Sequence, residues 1–223
     1  MNCPVHRYPV FKRPKDSADA VKIQKTLKSQ IRLVDAKVGQ EYIAGIDVGY
    51  APKLGLSKAA VAVFSVKNHR LIETAIAYDE TEFPYISGLL SFREMPVILK
   101  ALSVLKIRPD ILMVDGQGIA HPRQMGIATH LGLHTNIPSM GIAKTRLWGQ
   151  YDNVGESKGD ASRLTNKSDH IGWVLRSREG VKPIFVSPGH MMSCDKAKDL
   201  ALSWLDKYKL PVPTYTADKI SKF

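Results

Sequence analysis

The chain has 223 residues, long enough for one α/β domain, and we expect residues 1–223 to form a single domain. Lys and Arg together number 32 against 21 Asp and Glu, and the formal net charge of +11 favours a polyanionic partner, nucleic acid first, over a neutral metabolite. The cysteines, Cys3 and Cys194, are too few for a disulfide framework or a paired-cysteine metal site, and they suit a reducing cytosol. No window approaches the roughly 18 apolar residues of a membrane span, so we expect a cytoplasmic protein with no membrane partner. We also expect a monomer.

The first part of the chain predicts one helix followed by three strands. Asp16 or Ser17 suits the N-cap of an amphipathic helix. Its inward-facing positions recur at helical spacing and are Val21, Gln24, Leu27, Ile31 and Val34. Three short β-branched segments follow, EYIAGIDVGY, AAVAVFSV and RLIETAIAY. Their close spacing predicts an antiparallel meander.

Helices and strands alternate after the meander. FREMPVILKALSVL and QMGIATHLGLH predict helices, each followed by a strand, ILMVD and PSMGIA, and this alternation is typical of a parallel sheet. IGWVLRS and KPIFVSPG predict two more strands, preceded by a polar loop or hairpin excursion, and CDKAKDLALSWLDKY predicts a closing helix. From about residue 211 we expect a loose basic tail. The predicted fold class is therefore α/β, a mixed sheet with a three-strand antiparallel meander and βα alternation, flanked by helices.

Three acidic residues fall where strands or helices end or begin. Asp47 closes YIAGID, Asp115 closes ILMVD, and Glu94 lies near the start of the helix after the meander. If the first strand pairs with the strand ending at Asp115, the two aspartates emerge side by side, with Glu94 within reach. A single Asp at a strand end is most often a turn-former, but three converging carboxylates in a basic chain indicate a hard divalent cation, Mg²⁺ or Mn²⁺.

Other polar and aromatic residues near these segments are candidates for substrate contacts. Lys144 follows a strand end, where an ammonium can meet a phosphate. His121 and His190 are explained equally well as buried, hydrogen-bonded histidines or as functional groups. Tyr85 stands between a proline and a glycine on a stiff loop, a placement suited to an exposed aromatic wedge.

Five motifs occur in order, GIDVGY, FPYISGLLSFRE, DGQGIAHPR, GIAKTRLWG and SPGH, and together they resemble endonuclease V, the deoxyinosine-directed nuclease family of the ribonuclease H-like superfamily. The resemblance implies a ribonuclease H-like sheet. It also implies Mg²⁺, with Mn²⁺ as a substitute, held by Asp47, Glu94 and Asp115. The remaining roles that it implies are a wedge for Tyr85, a phosphate contact for Lys144, support of the metal site for His190, and substrate contacts for Gly88, Leu90, Arg93, Gly116 and His121.

The activity implied by the resemblance is recognition of deoxyinosine in single- or double-stranded DNA and hydrolysis of the second phosphodiester bond 3′ to the lesion, in DNA repair. Two residues depart from the family pattern, Ser87 where proline is usual and Met191 where arginine is frequent. The alternatives are an inosine-specific endoribonuclease with inosine-containing RNA as partner, a non-catalytic nucleic-acid-binding relative, and an unrelated metal-dependent phosphatase. Glycines 116 and 118 are expected to let the backbone approach a base or sugar closely.

Overall fold

The structure, a computed structural model, describes residues 8–36 and 39–223, so Cys3 lies outside the described residues. The helices in this part of the chain are α1 (Ser17–Leu27), α2 (Leu90–Ser103), α3 (Ile127–Thr135), α4 (Cys194–Ser203) and α5 (Val212–Ser221). The strands are β1 (Tyr42–Ala51), β2 (Leu56–Ser65), β3 (Leu71–Glu80), β4 (Ile111–Asp115), β5 (Ser139–Ala143), β6 (Ala161–Asn166), β7 (Asp169–Leu175) and β8 (Ile184–His190). None of these helices is long and apolar enough to cross a bilayer.

All the strands form one mixed sheet in the order β3-β2-β1-β4-β5-β8-β7-β6. The first three strands form the predicted antiparallel meander, and β4 and β5 run parallel to β1, as the βα alternation indicates. Strand β8 runs antiparallel to β5. The carboxyl ends of β1, β4 and β5 therefore share one edge of the sheet, while the carboxyl end of β8 lies at the other.

Both faces of the sheet are covered, which explains the nearly continuous apolar sequence of β2. Val61 and Val63 pack on one side, in the core that includes residues of α2 and α3. Ala62 and Phe64 point to the opposite side and pack in the core that contains Trp204. Successive strand residues alternate between faces, so an apolar run of this length requires an apolar layer on each side.

The first helix is shorter than the sequence pattern predicts. Asp16 caps it by accepting a hydrogen bond from the Asp19 backbone N–H, but the α-helix ends at Leu27 and a short 3-10 turn follows. Val34, predicted to lie on its inner face, is 69% exposed. Helical spacing continues in the sequence beyond the point where there is a core for the helix to pack against.

The expectation of a loose tail from about residue 211 is wrong, because this segment forms α5, and α4 is not the closing helix. Thr214 and Ala217 are fully buried against the sheet. The helix lies directly on β1, since a Cβ atom added at Gly45 would overlap the carbonyl oxygen of Pro213. Burial of this face, rather than local propensity, holds the segment in place.

One buried histidine links folding stability to pH. His130 on α3 is 4% exposed, and its Nδ1 hydrogen-bonds with Ser91 Oγ at 2.9 Å. Burial lowers the pKa of His130 to about 3 from the ordinary value of 6.5. Below pH 6.5 the unfolded chain binds a proton at His130 and the folded chain does not. The contribution of His130 to the free energy of unfolding is therefore fully present above pH 6.5 and is lost as the pH falls toward the folded pKa.

We therefore expect the free energy of unfolding to fall by about 2 kcal/mol between about pH 7.5 and pH 5 on account of His130 alone. Urea unfolding in EDTA at the two pH values measures it. The His130→Gln variant removes the titrating group, so its pH dependence should be smaller by that amount. An identical pH dependence in the two proteins would contradict the assignment.

Candidate active site

Three carboxylates from distant parts of the chain meet at one edge of the sheet. Asp47 lies on β1, Asp115 ends β4, and Asp218 lies on α5. One carboxylate oxygen from each lies within 4.8 Å of the others. The parallel pairing of Ile46 with Val114 brings the first two together, as expected from sequence. The third joins them because α5 packs on β1.

Asp218 is missing from the sequence-based candidates, since its segment is taken there for a loose tail. A signal was nevertheless present. Pro213 suits the first turn of a helix, and the buried residues Thr214, Ala217 and Ser221 recur at helical spacing after it. The Ser221 hydroxyl donates a hydrogen bond to Asp47 Oδ2, so α5 also orients the carboxylate of β1.

Lys144, which follows β5, is the cation nearest these carboxylates. Its Nζ lies 2.6 Å from Asp115 Oδ2 and 2.6 Å from Asp218 Oδ1. Burial alone would lower the pKa of Lys144, but the charges and hydrogen-bonding of the two aspartates outweigh burial and raise it. Burial alone would raise the pKa of Asp218, but hydrogen bonds from Lys144 and Lys222 outweigh burial and lower it. At neutral pH Lys144 is thus a protonated counterion.

Two further observations test whether the cluster suits a metal ion. Burial and the neighbouring charge of Asp47 raise the pKa of Asp115 to about 6, against the opposing effect of Lys144. Asp115 Oδ2 is buried, and the Lys144 ammonium at 2.6 Å is the cation that offsets its charge. Three carboxylates whose oxygens converge, and whose charges are only partly offset by Lys144, fit a hard divalent cation.

Glu94 lies beside the three aspartates, one turn into α2. Burial raises its pKa well above the ordinary value, and the charges of Asp47 and Asp115 raise it further. Its carboxylate is outside the group whose oxygens lie within 4.8 Å of one another. The three acids predicted from sequence are thus neighbours, with Glu94 farther from the centre of the cluster than Asp218.

A cavity of about 360 Å³ opens from the carboxylates. Its size is within the range of ligand pockets. Most of the candidate residues predicted from the sequence line it, namely Asp47, Tyr85, Gly88, Leu90, Glu94, Asp115, Gly116, His121 and Lys144. Met125, Ile127 and Leu147 give it apolar surface. Tyr85 stands at this cavity with 70% of its surface exposed, as an aromatic wedge requires.

A tight turn directly follows Tyr85. The Leu89 N–H donates to the Ile86 carbonyl at 2.9 Å, which places Ser87 and Gly88 at the two central positions. Gly88 has φ +78°, and Ser87 is not among the residues with positive φ. This combination defines a type II turn, in which glycine suits the second central position and proline suits the first.

Three side chains hold the Gly88 carbonyl oxygen. Gln24 Nε2 donates to it at 3.0 Å, His121 Nε2 at 2.9 Å and Arg123 Nη2 at 2.9 Å. Gln24 is fully buried on α1 and also receives a hydrogen bond from Arg123 Nε at 2.5 Å. Gln24 was predicted only as an inward-facing helix position, because a contact across so many residues leaves no local pattern.

His121, predicted to contact the substrate, hydrogen-bonds to the turn. Its Nδ1 accepts the backbone N–H groups of Arg123 at 3.1 Å and Met125 at 3.3 Å, so the proton resides on Nε2 and points to Gly88. Burial lowers the pKa of His121 to about 4, which keeps the ring neutral. Both ring nitrogens are occupied within the protein. The expected substrate contact is therefore replaced by an internal one.

The two glycines of the DGQGIAHPR motif, Gly116 and Gly118, lie against different parts of the structure. Gly116 lines the cavity, as predicted. Gly118 packs instead against β8, where an added Cβ would overlap the Pro188 carbonyl oxygen. The close approach that Gly118 permits is thus to the protein's own backbone.

Residues 25–219 match the family model for Endonuclease V. The chain belongs to the endonuclease V family. The resemblance read from the ordered motifs is confirmed. Endonuclease V from Rippkaea orientalis is 47% identical over 211 residues, which cover 95% of this chain and 92% of that protein.

Solved endonuclease V structures share the fold. The Streptomyces avermitilis protein has a TM-score of 0.87 at 36% identity, with 93% of this chain and 92% of that chain covered. Endonuclease V from Ciona intestinalis, in complex with a 24mer DNA containing an inosine followed by a ribo-adenosine, has a TM-score of 0.80 at 27% identity. That match covers 92% of this chain and 95% of the Ciona chain. The predicted ribonuclease H-like fold is confirmed.

His190 does not join the endonuclease V carboxylates in this chain. It ends β8 and is paired with Ser139, the first residue of β5, whereas Lys144 follows the last. The length of β5 separates them, about 13 Å. Its Nδ1 accepts the Arg32 N–H at 3.3 Å. The expected support of the metal site by His190 is wrong because β8 runs antiparallel, and the Met191 departure lies at this opposite edge as well.

Arg93 also lies outside the cavity. Its guanidinium stacks on Tyr50, 4.1 Å from the ring centroid. Glu94, the next residue of α2, lines the cavity, whereas Arg93 does not. The predicted substrate contact of Arg93 is not supported by its position.

The Ser87→Pro variant should be more stable than the native chain by about 0.4–1 kcal/mol, since proline restricts the unfolded chain and suits this turn position. Denaturant unfolding measures the difference. Gly88→Ala is the matched control, because it forces a positive φ on alanine and places a Cβ 2.9 Å from Arg123 Nη2. It should destabilise by about 1–2 kcal/mol. Destabilisation by Ser87→Pro would exclude the type II geometry.

Proposed function

We propose that this chain is a metal-dependent endonuclease that recognises deoxyinosine in DNA and hydrolyses the second phosphodiester bond on its 3′ side, in DNA repair. The observation that carries the proposal is one cavity with converging carboxylates at its inner end and the exposed ring of Tyr85 at its mouth. Family membership supports nuclease activity. The net charge of +11 supports a nucleic-acid substrate.

Asp47, Asp115 and Asp218 would hold Mg²⁺, with Mn²⁺ as a substitute and Glu94 adjacent. A divalent cation there supplies polarisation of a phosphate oxygen and lowers the pKa of a water. Lys144 stays protonated, and its ammonium adds positive charge beside the phosphate. Attack of the water oxygen on phosphorus would break the bond to O3′, and the proton that the water loses would end on O3′, which leaves 3′-hydroxyl and 5′-phosphate ends.

The lesion base would be taken out of the stack and into the cavity. Extrusion costs a few kcal/mol and costs least for a weakly paired base, so the poor pairing of hypoxanthine contributes to selection. The backbone at Gly88 and Gly116 would lie against the base, and Tyr85 would fill the gap left in the strand. The three donors to the Gly88 carbonyl, from Gln24, His121 and Arg123, form a clamp that supports this role, because it fixes the backbone that the base would meet.

An inosine-specific endoribonuclease is the second candidate. The Ciona protein was solved with a strand in which inosine is followed by a ribo-adenosine, so a relative accepts a 2′-hydroxyl next to the lesion. A labelled oligonucleotide with one inosine, prepared as DNA and as RNA, separates the two candidates when it is incubated with and without Mg²⁺. Cleavage of neither, or cleavage without added metal in EDTA, would overturn the proposal.

Asp115→Asn and Asp218→Asn should each abolish cleavage while binding of inosine DNA stays within about tenfold, because the basic surface provides most of the binding. The affinity for Mn²⁺, measured by calorimetry on the protein alone, should fall at least about tenfold in both. The control is Asp199→Asn on α4, a carboxylate 68% exposed outside the cavity. Unchanged Mn²⁺ affinity in the two variants would remove these residues from a metal site.

Tyr85→Ala should weaken binding of inosine-containing strands by about tenfold to a hundredfold, the loss of roughly 1–3 kcal/mol of stacking. Binding is measured in Ca²⁺, to prevent turnover. The loss should be larger on duplex than on single strands, because only a duplex re-stacks the base over an unfilled gap. Tyr78→Ala, an exposed tyrosine on β3 outside the cavity, serves as control. Equal affinities of Tyr85→Ala and the native chain on inosine duplex would exclude the wedge.

A further inference from the structure

A second cavity adjoins the one that holds the carboxylates. It has a volume of about 360 Å³ and lies between the loop that follows β5 and the turn of the β6–β7 hairpin. Leu147 lines both cavities. The two cavities therefore share a wall, and a polymer bound in one of them extends beside the other.

Trp148 displays its indole ring at this second cavity. The side chain is 40% exposed. Across residues 8–36 and 39–223, no aromatic ring or cationic group stacks on it, whereas Trp173 and Trp204 each have such a partner. A tryptophan is large and usually covered on average, so an open indole face beside a cavity is a surface with stacking capacity.

The loop that carries Trp148 is fixed at both ends. The Thr145 carbonyl accepts a hydrogen bond from Gln117 Nε2 at 2.9 Å, next to the carboxylates. Beyond the tryptophan, Gln150 and Thr165 exchange both backbone hydrogen bonds, at 2.7 and 2.8 Å. The ring is thus presented by an anchored loop, which lowers the entropy lost when a ligand stacks on it.

The polar groups around the second cavity suit a nucleotide. Arg146 and Lys167 line it, no acidic residue does, and in the described part of the chain neither cation has an ion-pair partner. Gln150 and Asn166 also line it and offer amide groups of the kind that bind base edges. Arg146 also lies over the Tyr151 ring, 5.7 Å from its centroid, which leaves its charge without a counterion. A flat apolar ring, cations that lack acidic partners and amides together match a base with its phosphates.

We propose that the second cavity is a subsite for a nucleobase that flanks the lesion in the same strand, stacked on Trp148 with Arg146 and Lys167 at its phosphates. The proposal rests on the proposed function, since the lesion base occupies the neighbouring cavity. It adds a contact that is independent of the lesion base itself. Stacking tolerates any base, so this subsite contributes affinity and register but no sequence preference.

The test combines a protein variant with a substrate variant. Binding of a single-stranded inosine oligonucleotide in Ca²⁺ should weaken about tenfold to a hundredfold in Trp148→Ala and much less in Trp148→Phe, which keeps a stacking ring. A series of oligonucleotides then carries one abasic residue at each of the positions within about two nucleotides of the inosine. At one position, loss of the base should weaken binding to the native chain but not to Trp148→Ala.

The outcomes separate the subsite from the proposed function. If the native chain cleaves inosine DNA in Mg²⁺ while Trp148→Ala binds every oligonucleotide as the native chain does, the subsite is overturned and the proposed function stands. Trp148→Ala could also bind every oligonucleotide of the abasic series more weakly than the native chain by the same factor. That result would overturn the subsite too, because Trp148 would then act on folding or on a different ligand, such as a protein partner. A native chain that neither prefers nor cleaves inosine overturns the proposed function and the subsite with it.

Discussion

The site depends on the close packing of α5 against β1. Gly45, Asp47 and Gly49 alternate along one face of the strand, and added Cβ atoms at the two glycines would overlap the carbonyl oxygens of Pro213 and Ser221. The helix can therefore lie on the backbone of the strand, with Asp218 carried over Asp47. Larger residues at the glycines would lift the helix and separate the carboxylates, even though neither glycine has any chemistry of its own.

The same packing sets the electrostatics of the cluster. Three carboxylates converge beside Glu94 in a chain whose overall charge is positive, and Lys144 pairs with two of them, Asp115 and Asp218. The basic surface attracts a polyanion, while the cluster alone would repel the phosphate that must approach it. Binding of a polyanion favours positive charge, whereas the cluster is negative, and the divalent cation that we propose would reconcile the two.

Local sequence patterns predicted most of the secondary structure, because short-range periodicity determines it. The β-branched segments of the meander, the βα alternation and the strand end at Asp115 were predicted from the sequence, because hydrophobic periodicity records which faces are buried. The strand end predicted at Asp47 was wrong, since β1 continues to Ala51 along its antiparallel partner β2. Asp218 and Gln24 were missed as site residues, since each acts through packing between segments far apart in sequence. His190 was misplaced for a related reason. The order of motifs along a chain carries no information on strand direction, and a strand that runs antiparallel delivers its last residue to the opposite edge.

The clamp on the Gly88 carbonyl shares no side chain with the carboxylate cluster. Its donors come from α1 and from the segment that contains His121 and Arg123, whereas the acids come from β1, β4, α2 and α5. Sequence drift in the clamp can therefore reshape the wall that meets a base while hydrolysis is left intact. If the proposed function holds, a change in the base that is accepted would therefore not require a change in the residues of the carboxylate cluster.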